Sequence, residues 1–267
     1  MAENNIPNPS SSLVYFFIVT FIYLFFTIFS LYGSNTVSSI RNNSNNNIYN
    51  IIYIILVLIG SYFINLNISK ALCDSNSIQW NNIFFITILP WMIIFSVIYF
   101  LLELFPGWVS PFSNTIGYFV VNLLGVNKII GNILNDSKDN NKELVKALVY
   151  IKKNYSKFIN EIDIDELEFE KFIKTLSREN IIKTGTTPET ALQDSNILEL
   201  YKLVNIKHII GKIVWYILAG ILIASITYNF IINITCASTL EETRKEYNEI
   251  MQGNEDSEDA DESTGYN

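Results

Sequence analysis

Histidine and cysteine are scarce in this 267-residue sequence, which contains one His and two Cys. Cys73 and Cys236 lie at the ends of apolar segments and form no CxxC pair, so a metal centre is not predicted. A disulfide or a palmitoylated thiol stays open beside the simpler reading of inert thiols. The lone histidine, His208, has no carboxylate close to it in sequence, which favours a structural role over proton sensing. No metal site and no cofactor are predicted.

Charge is also scarce, and it is unevenly placed. Charged residues make up 16% of the chain and hydrophobic residues 49%, a balance that is too apolar for an ordinary soluble protein. Ten acidic and two basic residues follow Cys236, and their net charge of -8 equals the charge of the whole chain. The rest is neutral overall and has no basic surplus, so nucleic acid is not a predicted partner. The acidic tail, residues 236–267, is predicted to be disordered.

The signatures of common catalytic sites are missing as well. No Walker loop, GxGxxG, GxSxG or HExxH occurs in the sequence. The string KTGT at residues 183–186 matches part of the phosphorylation motif of P-type ATPases, but Ile182 stands where that chemistry needs a carboxylate. The acidic cluster between residues 161 and 170 lacks the spacing of a calcium loop. We therefore predict that the protein is not an enzyme.

What the sequence does have is four long apolar runs without charge. They cover residues 13–31, 48–68, 83–102 and 213–234. About twenty helical residues cross the ~30 Å hydrocarbon core of a bilayer, so each run predicts a transmembrane helix. A cleaved signal peptide is disfavoured at the first run, because that run is long and no Lys or Arg precedes it. Pro90, inside the third run, predicts a kink.

The fourth run carries the residues that we expect to pack helices together. Gly220 and Ala224 form a small-xxx-small pair, which lets helix backbones approach closely or simply reflects how common these residues are in membranes. Lys212, at the start of the run, is expected to extend its ammonium group to the interface. The interiors of all four runs contain no Asp, Glu, Lys or Arg, which disfavours an ion pathway lined by charges.

The run FPGWVSPFSNTIGY follows the third apolar run, and it too is uncharged. Its prolines, glycines and polar side chains make its first half too broken and too polar to cross unsupported lipid. From residue 116 onward, apolar and polar residues recur at helical spacing, which predicts an amphipathic helix entered through a proline-broken loop. Its polar stripe consists of Tyr118, Asn122, Gly125, Lys128 and Asn132, and its apolar face consists of Phe119, Val120, Leu123, Leu124, Val126, Ile130, Ile133 and Leu134. We interpret residues 106–134 as re-entrant or interfacial, with a fifth span as the alternative. The candidate structural motif consists of Phe105, Pro106, Gly107, Trp108, Pro111, Phe112, Ser113, Asn114, Gly117 and Tyr118.

Residues 135–208 have the balanced charges of a soluble region. Asn140 followed by Glu143 is a capping-box signal, and one apolar stripe after it predicts a single helix from Leu144 to Phe158. Further helices are predicted over residues 165–177, from Thr187 and Pro188 onward, and from Ser195 onward with Leu198, Tyr201 and Leu203. The region is therefore predicted to be a small helical bundle.

The motif at residues 105–118 resembles one in uncharacterised multi-spanning membrane proteins of large nucleocytoplasmic DNA viruses, the mimivirus-like group. The Asn- and Ile-rich composition is similar to theirs, and so is the order of three spans, a soluble insert, a last span and a polar tail. The resemblance implies a virion or viral-factory membrane protein with structural duties that touches the capsid from the internal membrane. It implies no catalytic residues.

We thus expect an all-α integral membrane protein with four transmembrane helices, a re-entrant or interfacial amphipathic segment and a small helical soluble domain. The predicted divisions are a polar N-terminus at 1–12, three transmembrane helices at 13–105, the re-entrant or interfacial segment at 106–134, the soluble domain at 135–208, the fourth transmembrane helix at 209–235 and the acidic tail at 236–267.

The expected function is structural or scaffolding, in the virion or its internal membrane, and the alternative is a small channel or transporter-like protein whose pore is lined by the polar residues 111–115. Expected partners are the lipid bilayer and a capsid protein or another membrane protein, and an oligomer stays open. The expected location is a multi-pass position in the virion internal membrane or a host endomembrane.

Overall fold

The computed structural model describes residues 10–44, 47–72, 80–135, 142–183 and 188–234. Helices hold 88% of these residues, and the only β-bridge among them, between Leu134 and Ile182, belongs to no strand. The predicted all-α class is therefore confirmed. The predictions for Cys73, Cys236, Asn140, the threonines of the KTGT string and the acidic tail fall outside the described residues.

Thirteen α-helices follow one another along the described part of the chain. They are α1 (Ser10–Tyr32), α2 (Val37–Ser44), α3 (Asn47–Leu72), α4 (Trp80–Pro90), α5 (Ser96–Leu104), α6 (Ser110–Phe112), α7 (Tyr118–Leu123), α8 (Val126–Ile133), α9 (Lys142–Lys153), α10 (Tyr155–Asn160), α11 (Glu166–Arg178), α12 (Pro188–Ala191) and α13 (Ser195–Ile234). A π-helical turn (Trp91–Phe95) joins α4 to α5, a 3-10 turn (Pro106–Trp108) precedes α6, and a second π-helical turn (Ser113–Gly117) joins α6 to α7.

Four helical stretches are long and apolar enough to cross a membrane by length and composition. They are Ser10–Tyr32, Val37–Leu72, of which helices α2 and α3 are described, Trp80–Leu104 and Ser195–Asn233. These stretches contain the four apolar runs of the sequence, and they are compatible with a multi-pass membrane protein. A fifth passes the same test only if Pro106–Leu123 and Val126–Ile133, which meet at a bend of 82°, count together as one span.

The four long helices pack side by side around aromatic rings. Helix α1 runs antiparallel to α3, and the Tyr23 hydroxyl donates to Asn50 Oδ1 at 2.6 Å. The ring centroids of Tyr23 and Tyr53 lie 4.6 Å apart, and that of Phe95 lies 4.9 Å from the ring of Tyr216. Rings of this size fill the space between helices and contribute about 0.5–1.5 kcal/mol per well-oriented pair beyond their buried area. This aromatic core holds the bundle together.

Polar side chains inside the bundle make hydrogen bonds to one another. Asn65 Nδ2 donates to Thr87 Oγ1 at 3.0 Å, which links α3 to α4 through two buried residues. Thr20 Oγ1 lies 3.0 Å from the Tyr53 hydroxyl and links α1 to α3. Such bonds are needed because an unpaired polar group in an apolar surrounding costs free energy.

The irregularity expected at Pro90 is a π-helical turn. Proline lacks the N–H that would continue the helical ladder, and the π-helical turn Trp91–Phe95 begins directly after it. The buried side chains of Trp91 and Phe95 come from this turn, so the irregular segment directs two large rings into the aromatic core.

The last helix is longer than the sequence pattern predicts. The sequence favours one soluble helix starting at Ser195 and a separate span starting near Ile213, but α13 continues through 40 residues without a break. The Asp194 carboxylate caps its beginning by accepting from the backbone N–H of Asn196 at 2.8 Å and of Ile197 at 3.3 Å. At 1.5 Å per residue, α13 is about 60 Å long, twice the thickness of a hydrocarbon core. The predicted domain boundary at residues 208 and 209 therefore falls inside one helix.

Short helices surround the first half of α13. Helix α11 is confirmed close to its predicted position, and Asp165 caps it by accepting from the backbone N–H groups of Leu167 and Glu168. The single helix expected from Leu144 to Phe158 is instead two helices, because α9 ends at Lys153 and α10 begins at Tyr155.

Residues 106–134 also differ from the prediction. The expected proline-broken loop is largely helical, since the backbone N–H of Ser113 donates to Val109 O at 2.9 Å and the run continues to Leu123. The single amphipathic helix expected from residue 116 to 134 is wrong, because Gly125 has a φ of 91° and separates α7 from α8. Of the predicted apolar face, Val126, Ile130, Ile133 and Leu134 are buried, whereas Phe119, Leu123 and Leu124 are exposed.

Candidate functional site: a polar cavity beside Lys207

The candidate site lies where α6, the second π-helical turn and α7 pack against the first half of α13. Two glycines, one on each side of this contact, allow the backbone of residues 106–123 to approach the backbone of α13 closely. The Cα of Gly117 lies so close to the Lys207 carbonyl oxygen that an added Cβ would overlap it. A Cβ on Gly211 would lie 2.8 Å from Val109 Cγ1 and 2.9 Å from the backbone N of Ser113. Small residues at helix contacts permit this close packing of backbones.

An aromatic cluster holds one end of the contact. The Trp215 indole N–H donates to the Trp108 carbonyl oxygen at 2.8 Å, and the two indole rings stack with centroids 6.0 Å apart. The ring of Phe112 meets Trp215 edge-on at 5.2 Å. Trp108 is half-exposed, as is typical of tryptophans at a membrane interface.

Lys207 is the residue around which the site is built. Its exposed fraction is 4%, so the ammonium group is buried although it lies on a helix next to the membrane-type bundle. Its Nζ donates to Asn114 Oδ1 and to Asn160 Oδ1, each at 2.8 Å. Two amide oxygens satisfy two of the three N–H donors, but they bring no negative charge. Among the described residues, no carboxylate forms an ion pair with Lys207.

A buried ammonium without a counter-charge is energetically unfavourable. Removing an ion from water costs several kcal/mol in real proteins, and hydrogen bonds to neutral acceptors recover only part of that. Lys207 can therefore still accept an ion-pair partner through its third N–H donor.

A cavity of about 260 Å³ opens beside Lys207. Its lining comes from three parts of the chain. The motif at residues 105–118 contributes Pro106, Gly107, Ser110, Ser113 and Asn114, the end of α10 and the loop after it contribute Asn160, Glu161, Ile162, Asp163 and Ile164, and α13 contributes Val204, Lys207 and His208. The buried residues Ser113 and Lys207 form its deep part, and the exposed residues Glu161 and Asp163 belong to its rim. The cavity thus has one cation inside and two carboxylates at its edge.

The sequence singles out Ser113, Asn114 and His208 separately, and the structure brings all three to this cavity. Among the described residues, no hydrogen bond joins Ser113 to His208. The same part of the chain contains no group of three His, Cys, Asp or Glu side chains that could hold a metal ion.

The other members of the candidate structural motif have different surroundings. Phe105 and Pro111 are exposed, and the Tyr118 hydroxyl donates to Asn127 Oδ1 at 3.3 Å. Gly220 and Ala224, the expected packing pair, are buried in the other half of α13, where an added Cβ on Gly220 would overlap the ring of Phe16 from α1.

Sequence patterns do not single out Lys207 and Asn160. Lys207 follows four apolar or amide residues in a helix, which gives no sign that it is buried, and Asn160 is 47 residues away. One signal was present in the sequence: Lys207 lies on the same side of α13 as Gly211 and Leu203, at the spacing of a buried helix face.

A second polar cavity, of about 170 Å³, lies at the end of the four-helix bundle. The Lys212 ammonium, which was expected to extend to the membrane interface, forms an ion pair with Glu103 Oε1 at 2.5 Å. This ion pair connects the last turn of α5 to α13. It lies where the uncharged run of each helix ends. It marks the boundary between the two halves of the molecule, namely the four-helix bundle and the short helices that surround the first half of α13.

A comparison of the chain with protein-family models, with curated proteins and with solved structures finds no match. The assignment of function therefore rests on the geometry of the molecule itself.

Proposed function

We propose that the protein is a structural or scaffolding integral membrane protein that holds a small helical domain at a fixed position on a membrane. The observation that carries this proposal is the continuity of α13, a helix of 40 residues that contributes buried side chains both to the helical domain and to the four-helix bundle. A flexible linker would let the domain move independently of the membrane, whereas one packed helix transmits position and orientation. Rigid placement is what a scaffold requires.

The four-helix bundle supports a scaffold more than a channel. Its centre is filled by the rings of Phe16, Tyr53, Trp91, Phe95 and Tyr216. Each apolar run is free of charged side chains, whereas ion pathways in membranes are lined by ionisable groups, backbone carbonyls or water-filled cavities. The polar residues Ser113 and Asn114 lie beside the first half of α13 and not within the bundle.

The resemblance of residues 105–118 to viral membrane proteins directs the search for a partner. Under this proposal, the protein resides in the internal membrane of a large DNA virus or in the membranes from which it assembles. The helical domain then contacts a capsid protein or another membrane protein, and the acidic tail offers a second contact surface.

The first experiment tests membrane integration. We expect the protein to stay in the membrane pellet after carbonate extraction, because four apolar runs of about twenty residues are anchored in hydrocarbon. Protease protection of tags on the two termini then separates four spans, with both tags on one side, from five spans, with tags on opposite sides. Release into the carbonate supernatant would overturn the proposal.

The second experiment tests rigid coupling. Insertion of a Gly-Ser-Gly-Ser segment between Lys212 and Ile213 breaks α13 at the boundary and lets the two halves move independently. We expect this variant to remain in the membrane. We also expect it to be no longer incorporated into virions and no longer cross-linked to the capsid protein or membrane protein that the helical domain contacts. The same insertion between Asn5 and Ile6, in the polar N-terminus, is the control, and it is expected to leave both incorporation and cross-linking unchanged.

Two outcomes would contradict scaffolding. One is full assembly by the variant with the insertion after Lys212. The other is ion flux through the wild-type protein in liposomes that Ser113→Ala or Asn114→Leu abolishes, because this would identify a channel.

A further inference from the structure

We propose that the cavity beside Lys207 binds a zwitterionic phosphate group, with the phosphate on the Lys207 ammonium and the attached cation at Glu161 and Asp163. The proposal rests on the membrane integration proposed above. Its chemistry follows from the charges that line the cavity and from their depth.

The inner charge of the cavity selects an anionic group. Lys207 is the only cation among the described residues that line the cavity, and Asn114 and Asn160 fix its ammonium through two hydrogen bonds of 2.8 Å. A phosphate oxygen accepts a charge-assisted hydrogen bond from an ammonium, and it would form the direct ion pair that Lys207 lacks among the described residues. The hydroxyl of buried Ser113 and the imidazole of His208 are further polar groups in the same lining.

The rim of the cavity selects against a ligand that is only anionic. Glu161 and Asp163 are exposed residues of the loop that follows α10, and both line the opening. With His208 neutral, the lining carries one positive and two negative charges. Two carboxylates repel a second anion but attract an ammonium or a quaternary amine. A ligand with a phosphate and a nearby cation satisfies both parts of the cavity.

The depth of Lys207 agrees with the layer of lipid headgroups. Lys212 and Glu103 mark the end of the uncharged runs, and Lys207 lies five residues further along α13. Five helical residues span about 7.5 Å, and the headgroup layer on each side of a bilayer is about 5–7 Å thick. The backbone of Lys207 is therefore expected near the outer edge of the headgroup layer, where its long side chain can reach a phosphate.

The mouth of the cavity also suits a lipid. Pro106 and Gly107 line it, and next to them Phe105 and Trp108 are 52% and 46% exposed. Exposed aromatic side chains at this height are typical of the membrane interface. A volume of about 260 Å³ is close to the lower end of small-molecule sites, which fits a headgroup without its acyl chains.

The same chemistry has two sources, a phospholipid headgroup and a soluble phosphoamine, so the experiment separates them. The detergent-purified full chain is titrated with dioleoyl phosphatidylethanolamine or dioleoyl phosphatidylglycerol, and bound lipid is counted by native mass spectrometry. Phosphoethanolamine is then added as a soluble competitor. We expect the Kd of phosphatidylethanolamine to be at least about tenfold lower than that of phosphatidylglycerol, a difference that corresponds to one charge-assisted contact.

Matched variants locate the binding in this cavity. Lys207→Met keeps the length of the side chain and removes its charge, so we expect it to lower phosphatidylethanolamine affinity by about tenfold or more. Lys202→Met removes a lysine from the same helix that pairs with Glu199 outside the cavity, and it is expected to have no effect. The double variant Glu161→Gln and Asp163→Asn tests the rim, and it should abolish the preference over phosphatidylglycerol without weakening phosphatidylglycerol binding.

Each result decides the question. Strong competition by phosphoethanolamine supports the chemistry and identifies a soluble ligand, whereas weak competition identifies the lipid. Equal affinity for the two lipids in the wild type, or wild-type affinity in a folded Lys207→Met variant, would overturn the proposal. If Lys207→Met does not fold, Asn114→Leu provides the second test, because it removes one of the two groups that orient the ammonium. Carbonate extraction is measured separately, so a failure here is distinguishable from a failure of membrane integration.

Discussion

The first half of α13 is enclosed by protein, and its second half is exposed along one side. No residue from Ile197 to Ile217 is exposed, and Leu200, Tyr201, Val204 and Ile206 are almost fully buried. From Leu218 onward, exposed apolar residues recur on the outer side of the helix, including Ile221, Leu222 and Phe230. Exposed apolar side chains are unfavourable in water but ordinary in lipid. The same helix thus passes from an environment of protein to one that suits hydrocarbon.

The two halves also differ in how they achieve close packing. In the first half, Gly117 and Gly211 bring backbone against backbone, and the buried polar side chains of Asn205 and Lys207 make hydrogen bonds. In the second half, Gly220 accommodates the side chain of Phe16, and apolar contacts dominate. A backbone cannot move without moving its helix, whereas a side chain can shift about χ1 while its helix stays in place. The first half should therefore be less tolerant of added volume than the second.

The largest expected effect is that of Gly117→Ala. The new methyl group would overlap the Lys207 carbonyl oxygen, so a helix must shift. We expect a loss of about 1–3 kcal/mol in the free energy of unfolding, measured by denaturant titration in detergent. Gly107→Ala is the control from the same motif, because its methyl group meets no atom within 4 Å and should change the free energy by less than about 0.5 kcal/mol. Equal effects of the two variants would refute the proposed backbone contact.

A smaller loss is expected for Gly220→Ala in the second half. Its methyl group meets the tip of the Phe16 ring, a side chain that can shift about χ1 without moving its helix, and the added helix propensity of alanine, worth about 1 kcal/mol, offsets part of the cost. We expect a net loss of no more than about 1 kcal/mol by the same titration. A loss larger than that of Gly117→Ala would reverse the contrast between the two halves.

A part-buried hydrogen bond in the first half of α13 gives an effect of similar size. The Tyr201 hydroxyl donates to the Ile164 carbonyl oxygen at 2.7 Å, and its ring packs on Phe169 at 4.3 Å. Tyr201→Phe keeps the ring and removes the donor, so we expect a loss of about 0.5–1.5 kcal/mol in thermal or chemical unfolding. Tyr62→Phe is the control, because the Tyr62 hydroxyl makes no hydrogen bond to another described residue. Its free energy of unfolding should be nearly that of the wild type. If both variants behave alike, the hydroxyl of Tyr201 makes no net contribution.

The ion pair at the boundary should have the smallest effect. The side chains of Lys212 and Glu103 are 19% and 48% exposed, so water screens much of their attraction. A double-mutant cycle of Lys212→Gln and Glu103→Gln should give a coupling energy of about 0.2–1 kcal/mol that falls as salt is added. A coupling that is much larger and independent of salt would place the pair in hydrocarbon, and the boundary between the two halves would then lie further towards Ser195.

Much of the fold could be predicted from residue patterns. The four apolar runs predicted the long helices, and apolar residues at helical spacing predicted the helix over residues 165–177. Pro90 predicted a kink, and a π-helical turn follows it. Each of these predictions depends on a local property, namely apolar length, apolar spacing or a missing N–H. Local properties are visible in a single sequence.

The errors occurred where local signals were weak or ambiguous. The residues around Ile209 are compatible with either the end of a soluble helix or the start of a span, so the continuity of α13 was not predicted. Gly125 fits the polar stripe of an amphipathic helix as well as a helix end, and only its φ of 91° shows which is correct. The residues at 106–118 contain two prolines, but Pro106 and Pro111 each fall in the first turn of a helical segment, where proline is tolerated.

By itself, the sequence determined the helical class, the number of long apolar helices and the separation of charge from the apolar runs, because these follow from composition and spacing along the chain. Only the tertiary structure decided that Lys207, Asn114 and Asn160 meet, and that one half of α13 is enclosed while the other is exposed. The physical reason is that burial and charge pairing depend on which distant segments lie beside a residue. Two apolar helices with the same hydropathy can be surrounded by protein or by lipid, and their own residues do not distinguish these surroundings.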